Sequence, residues 1–498
     1  MSDVVIGIDA STTAVKAIAF TRDGRELAQS RVAYPLYNPL PGHFEQDPED
    51  WWAALLQALK ELAGRIDPSR FAALSIAHQR ETFTLIDDAG KALNPAILWL
   101  DERARPQVAR LSKELGRDNI TAWSGKPPDP TPALYAIAWL SEHRPEAVRN
   151  ARAIVDVDGF LMHRLTGRLA TSTPSADPLG LLSLETSTWH PTLVEAAGLK
   201  LEQLPEIIAP GTICGGLTPE VAKLTGLKAG LSVVAGAGDG QAMGLGMGVV
   251  EAGKTYLSLG SGVVSGAYSG EYRTSEGFRT LASPTGSGFM LETVLRSGMQ
   301  LVDWIVRTTG AQSAPALEVL AKDVAAGSDG LLVMPYWAGV MSPYWDGAAR
   351  GSIVGLSLDH KPAHLFRAVL EGIGFEQAIA TEAMETSIGH KSPSMIAAGG
   401  GTNSRLLMQI MASVLERPLS VSPVNEAAAL GAGMLAAYAA GWFPSVAEAS
   451  RAMTAQPDNC VDPVAELSAN YAVRKEIYRD LYHATRDIHA RLDALKSG

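Results

Sequence analysis

Short apolar runs punctuated by turn residues set the pattern from the start of the chain. Val4-Val5-Ile6-Gly7-Ile8 is rich in β-formers, Asp9–Thr13 is turn-like, and Val15–Phe20 returns to apolar residues. Arg22-Asp23-Gly24 then predicts a hairpin before Glu26-Leu27-Ala28. The pattern recurs far along the chain, where Lys254–Leu259 and Val263–Tyr268 read as strands about the turn Gly260-Ser261-Gly262. Two such stretches predict a duplicated architecture. Helices lie between them. Asp47–Leu62 opens on Pro and acidic residues and has an apolar face through Trp51, Leu55 and Leu59. Leu365, Ala368, Val369, Gly372 and Ile373 follow helical spacing on a core-facing side. Ala427–Ala440 is small and apolar almost all round, which predicts burial, and Val464–Leu495 reads as an amphipathic outer helix. Strands alternating with helices give an α/β class. The Gly-rich zone near 236–262 is the candidate domain junction, and a cleft there is a natural ligand site.

At 498 residues the chain exceeds one ordinary core, so two or more domains are expected. A formal net charge of −11 argues against a nucleic-acid or anionic-membrane partner. An anionic ligand must then be held by local features: backbone N–H groups, a metal ion or a few cations. The two cysteines, Cys214 and Cys460, form neither a disulfide framework nor a zinc site, and fit a reducing compartment. The start MSDVVIGIDAS lacks the basic and apolar regions of a signal peptide, and no apolar run reaches the ~18 residues of a membrane span. A cytoplasmic location is expected.

Gly248-Val-Val-Glu-Ala-Gly253-Lys254-Thr255 matches the P-loop expression in full. That loop needs a strand before it and a helix after it, because the helix N-terminus and loop amides cradle the phosphates. Here small residues from Gln241 to Met247 predict a helix before it, and Thr255–Leu259 predicts a strand after it. The expected reading is a plain helix-to-strand loop.

Asp9-Ala-Ser-Thr-Thr13 places an acid at a strand end, followed by hydroxyls and amides that can hold Mg²⁺ and phosphate oxygens. An Asx-type turn capping the hairpin is the plainer reading. Gly260-Ser261-Gly262 offers a second phosphate cradle, since glycine lets the backbone approach an anion. Gly236-Ala-Gly238-Asp239-Gly240-Gln241 puts one carboxylate in a glycine-rich turn after the Leu231–Ala235 strand. Such a carboxylate can take the proton from an attacking hydroxyl, although an Asp-Gly turn alone explains the pattern. A dinucleotide-binding reading fails on glycine spacing. His78-Gln-Arg80-Glu81-Thr ends the Phe71–Ala77 strand, where Arg can donate to a polyol's hydroxyls and Glu accept from them. A surface salt bridge is the plain alternative. Trp99 can pack on the apolar face of a sugar, or can simply be a core residue. His78 reads as structural.

In this order the motifs resemble those of the FGGY carbohydrate kinases, which include the glycerol, xylulose, ribulose and gluconate kinases. The likeness runs through Ile6–Thr13, Glu45–Trp52, His78–Thr82, Pro95–Trp99, Gly236–Asp239, Leu259–Gly262, Ser342–Asp346, Ala349–Leu356, His364–Glu371, Gly399–Ser404 and Glu426–Ala432. It implies two actin-like (ribonuclease H-like, ASKHA) domains flanking an ATP cleft, with a sugar-binding domain over 1–245. The nucleotide-binding domain, with its C-terminal helix, would cover 246–498. By the resemblance Asp9, Thr12 and Thr13 form the first phosphate loop, Asp9 holding Mg²⁺ through water, with Lys16 beside it. Gly260 and Ser261 match the second loop, and Gly399, Gly400, Gly401 and Ser404, with Asn403 adjacent, match the adenosine segment. Arg80, Glu81, Trp99, Asp239 and Gln241 match acceptor positions, and Asp239 also matches the catalytic base.

Arg80-Glu81 is similar to the glycerol kinases, whereas xylulose kinases usually show Met-His there. Against glycerol, Thr131 follows Asp129-Pro130 where glycerol kinases carry an aromatic, and Gly240 separates Asp239 from Gln241. The expected activity is ATP-dependent phosphorylation of a small sugar or polyol. A ketopentose such as xylulose is the first choice, glycerol or another polyol the second, and a non-catalytic actin-like ATPase the remote one. The resemblance also suggests a homodimer.

Overall fold

The structure is a computed structural model that describes residues 2–457 and 459–495. Two large sheets organise it. The first contains β1 (Val4–Ala10), β2 (Ala14–Thr21), β3 (Glu26–Ala33), β4 (Phe71–His78), β5 (Ile213–Gly216) and β6 (Ser232–Gly238), in spatial order β5-β6-β4-β1-β2-β3. The second contains β7 (Thr255–Leu259), β8 (Val263–Ser269), β9 (Arg279–Ala282), β10 (Phe289–Leu295), β11 (Met395–Ala398), β12 (Leu419–Val421) and β13 (Asn459–Val461). Its order is β9-β10-β8-β7-β11-β12-β13.

The two orders are versions of one plan. In each, an antiparallel meander (β1-β2-β3, or β7-β8-β10) continues into two strands parallel to its first member (β4 and β6, or β11 and β12). An antiparallel edge strand, β5 or β13, then closes that side. The duplication expected from the two strand–turn–strand signals is therefore present at the level of topology. Central strands read as continuous Val/Ile/Ala runs because both faces are covered; β1 is buried at every position.

On one face of the first sheet lie α1 (Pro48–Ala63) and α2 (Val157–Thr166). Helix α1 starts where expected: Asp47 caps it by accepting from the Glu49 amide, Pro48 occupies the first turn, and Trp51, Leu55 and Leu59 face the core. On the other face lie α3 (Asp239–Gly246) and a helix from much later in the chain. In the second unit, α4 (Pro362–Ile388) and α5 (Arg405–Leu415) pack on the sheet. The late helix is α6 (Ala427–Ala439), and α7 (Ala465–Ala494) buries Tyr471, Tyr478 and Tyr482 against the second core while its opposite side faces solvent.

Helix α6 is buried all round, as its composition predicts, yet it packs on Val5, Ile18, Ala73 and Val234 of the first sheet. The approach is backbone on backbone. A Cβ on Gly7 would sit 1.9 Å from the Ala429 carbonyl oxygen, and one on Gly431 would sit 2.0 Å from that of Ala242. Only glycine permits this spacing. A helix that follows residue 246 in sequence thus completes the core of the unit that precedes it.

Candidate active site

Each sheet ends its central strand in a short turn. In the first, Asp9 lies at the end of β1, paired in register with Lys16 of β2 and Ala77 of β4. The Ser11 amide and hydroxyl both donate to the Ala14 carbonyl at 3.0 Å, which closes the turn. Lys16 donates to Glu426, at the start of α6, at 2.6 Å. Asp9 Oδ1 is buried with no hydrogen-bond partner. Burial pushes its carboxyl up to about 7; nearby Asp239 and Glu426 add to this and Lys16 opposes it. An orphaned carboxylate oxygen beside a second acid is the environment that a bound divalent cation relieves, so these residues fit Mg²⁺.

In the second turn the Gly260 amide donates to the Gly262 carbonyl at 3.0 Å, while the carbonyls of Gly260 and Ser261 accept from Met299 and Gly298. Gly399 is in the left-handed region at φ +91°, and a Cβ there would meet the Leu259 carbonyl at 2.7 Å. The Gly399–Gly401 segment therefore lies directly against the end of β7, next to this turn. Ser404 caps α5 by accepting from Leu407, and Asn403 beside it is exposed.

The acceptor candidates converge at the end of β4. Glu81 has φ +60°, an uncommon conformation for a non-glycine residue, and such outliers concentrate at functional sites. Gly238 and Gly240 make room for Arg80: added Cβ atoms would come within 2.5 Å of its Cγ and 2.8 Å of its Cζ. The glycines about Asp239 thus seat a guanidinium against that carboxylate, with Arg80 Nε 3.2 Å from Asp239 Oδ1. Asp239 opens α3 rather than lying in a free turn, and its side chain is 38% exposed.

Arg80 and Glu81 do not pair with each other, and neither is on the surface. Arg80 Nη1 donates to both oxygens of Glu292 at 3.0 Å. Arg279 Nη1 donates to Glu81 at 2.7 Å and its Nε to Glu292 at 2.8 Å. Tyr256 adds a hydroxyl donor to Glu292 at 3.1 Å. The result is a continuous chain, Asp239–Arg80–Glu292–Arg279–Glu81, drawn from both units. Burial alone would raise Glu292, but the guanidiniums override it and hold the carboxyl at about 2. Glu81 is raised by burial, with Arg279 and Arg80 opposing.

Trp99 is no core residue: it is 38% exposed and its Nε1 donates to Thr12 Oγ1 at 3.1 Å, placing the ring between first turn and acceptor end. Gln241 is buried, its amide donated to the Pro174 carbonyl at 2.9 Å and to Asp177 at 3.2 Å. Asp177 also pairs with buried Lys126 and accepts from the Ala282 amide at 2.7 Å. At the far side Arg296 reaches Asp129 at 2.8 Å and Thr131 at 3.0 Å.

Behind the site, His78, Asp156 and Asp158 bring one ligand-type atom each within 4.8 Å of one another. Asp156 already accepts from the Gly159 amide and the Thr171 hydroxyl, and Asp158 from Ser175. The two acids tie α2 to its surroundings, while His78 Nδ1 lies 2.9 Å from the Gln79 carbonyl and its Nε2 is buried with no hydrogen-bond partner. The P-loop look-alike falls between α3 and β7 as expected, and Lys254 is half-exposed and paired with Glu251 at 3.0 Å.

Sequence reasoning missed Arg279, Glu292, Tyr256, Lys126, Asp177 and Arg296. The available signal was a charged residue inside an otherwise apolar strand, as in Phe-Met-Leu-Glu292-Thr-Val-Leu, since a buried charge needs a partner.

Profiles of the N-terminal and C-terminal domains of the FGGY family of carbohydrate kinases match residues 4–246 and 255–440. The chain belongs to the FGGY family. Xylulose kinase of Escherichia coli (strain K12) is 31% identical over 486 residues, 96% of this chain and 98% of that one. Glycerol kinase of Thermococcus onnurineus (strain NA1) is 30% identical over 468 residues, 90% and 91% of the two chains. Among solved structures, gluconate kinase from Lactobacillus acidophilus superposes with a TM-score of 0.93 at 25% identity, covering 98% of this chain and 99% of that one. The two sheets are accordingly the cores of two actin-like domains, and this FGGY protein is a sugar or polyol kinase. Among the described residues no helix is long and apolar enough to cross a membrane.

Proposed function

We propose that this FGGY kinase transfers the γ-phosphoryl group of ATP to a hydroxyl of a ketopentose such as xylulose, with Asp239 as general base. The observation that carries the reading is the position of Asp239. It is the open carboxylate of an otherwise buried charge chain, at a helix N-terminus, with Arg80 fixing its orientation. In-line transfer needs an acceptor hydroxyl placed against such a base. Arg80 and Glu81 orient the acceptor's hydroxyls, and Trp99 covers its apolar face. The two turns, Asp9–Thr13 and Gly260–Gly262, receive the phosphates, with Lys16 beside the first. Gly399–Gly401, Asn403 and Ser404 receive the adenosine. Asp9, through water, is the residue that would hold Mg²⁺, which when bound neutralises charge on the phosphoryl oxygens. Closure of the two domains on the acceptor excludes water and so limits wasteful hydrolysis of ATP.

Xylulose is preferred to glycerol because Thr131, not an aromatic ring, follows Asp129-Pro130, which leaves length for a longer acceptor. Glycerol remains the second reading on the strength of Arg80-Glu81. The decisive experiment is an ADP-release screen across xylulose, ribulose, glycerol, erythritol and gluconate. The highest kcat/KM is expected for a ketopentose; a highest value for glycerol would replace it, and no acceptor-dependent ADP release would sink the kinase assignment for these residues.

A further inference from the structure

We infer that the acceptor floor selects uncharged polyhydroxy acceptors over sugar acids of the same length, and that Glu292 and Arg279 set this choice. The inference rests on the proposed function and deepens it. The chain Asp239–Arg80–Glu292–Arg279–Glu81 holds three carboxylates and two guanidiniums, a formal charge of −1. Each guanidinium already faces two carboxylates: Arg80 meets Asp239 and Glu292, and Arg279 meets Glu81 and Glu292. Two further cations near this end are matched as well, Lys126 by Asp177 and Arg296 by Asp129.

An incoming carboxylate would therefore lose its water, meet guanidiniums that each already face two carboxylates, and add a like charge to a negative floor. A hydroxyl faces none of these costs. It donates to a carboxylate and accepts from a guanidinium, and Asp239 with Arg80 beside it offers both kinds of partner. Glu292 is 1% exposed, so it acts through the guanidiniums it orients and through its charge; it is a positioning residue. Arg279 keeps Glu81 in place from the opposite domain, so acceptor recognition is assembled only when both domains are together.

The test uses the purified full chain with MgATP and pairs of acceptors matched in length: arabitol or xylulose against xylonate, erythritol against erythronate, glycerol against glycerate. For the length used best, kcat/KM for the uncharged member is expected to exceed that for the acid by about 100-fold, the upper end of what one buried polar group left without its partner costs. Glu292→Gln brings the floor to zero charge and is expected to shrink that ratio by about tenfold, a loss of one buried like-charge interaction. Glu292→Asp keeps the charge and should keep the ratio, even where turnover falls. Thermal melting and MgATP binding establish that each variant is folded. Equal use of the acid by the parent protein overturns the inference, as does a Glu292→Gln variant that loses both acceptors by the same factor. Failure of every acceptor while MgATP still binds overturns the kinase reading instead.

Discussion

Glu292 and Glu376 are both 1% exposed, yet the protein satisfies them in opposite ways. Glu292 of β10 is gripped by two guanidiniums and held at about 2. Glu376 of α4 meets only hydroxyls, Tyr336 at 2.7 Å and Tyr478 of α7 at 2.9 Å, with its other oxygen unpartnered; burial pushes it up to about 7. The first belongs to the acceptor floor, where fixed charge must orient hydroxyls. The second belongs to a seam that fastens the last helix, where an acid that can go neutral serves as well. Burial is the same in both; the partner decides the charge.

The strongest way to separate the two regions is to remove the base. Asp239→Asn is expected to lower turnover about 10³-fold, within the range for general-base loss, while nucleotide binding measured by calorimetry persists. Near-normal turnover would break the link between the charge chain and chemistry.

The pH profiles of stability should slope in opposite directions. The Glu292 carboxyl lies below the usual 4.5, so its contribution is present above pH 4.5 and lost as pH falls from there toward 2. The Glu376 carboxyl lies above 4.5, so its contribution is full below pH 4.5 and lost as pH rises through 7. Each amounts to about 3 kcal/mol over its full window. Chemical denaturation across pH should therefore show Glu292→Gln lacking the acid-side loss and Glu376→Gln lacking the loss between pH 4.5 and 7. A profile unchanged by both substitutions would show that these carboxyls titrate normally.

Smaller effects sharpen the same contrast. Tyr478→Phe removes one hydrogen bond in the seam and should cost about 1 kcal/mol in urea unfolding, with turnover at parent level. Lys254→Ala, in the exposed look-alike loop, should change stability by no more than about 0.5 kcal/mol and leave KM for ATP unaltered. A large rise in that KM would revive the P-loop reading.

The strand–turn–strand signals, the start of α1 at Asp47-Pro48 and the apolar α6 were legible because each is a local pattern, set by propensity or periodicity. Asp239 was legible through its glycines, although their reason was not: Gly238 and Gly240 exist to admit Arg80, which belongs to another strand end. The partners of Arg80 and Glu81 were invisible for a related cause. Adjacent residues at a strand end point in different directions, so each found a charge about 200 positions away, 212 for Arg80 and 198 for Glu81. The setting of Trp99 was not legible, because an aromatic after an apolar run fits a core position as well as a sugar-facing one; its indole N–H donates to Thr12 and the residue is 38% exposed.

The glycine-lined docking of α6 on the first sheet has a consequence for how the chain is made. That sheet is complete in sequence by Gly238, but the face bearing Val5, Ile18, Ala73 and Val234 is covered only in part, by α3, until α6, nearly 200 residues later, has been synthesised. At ~5–20 residues per second that interval is on the order of 10–40 s. During translation the earliest-made domain therefore stays unsealed until most of the second has been made, and only the last strand and helix of the second, with Tyr471, Tyr478 and Tyr482, follow.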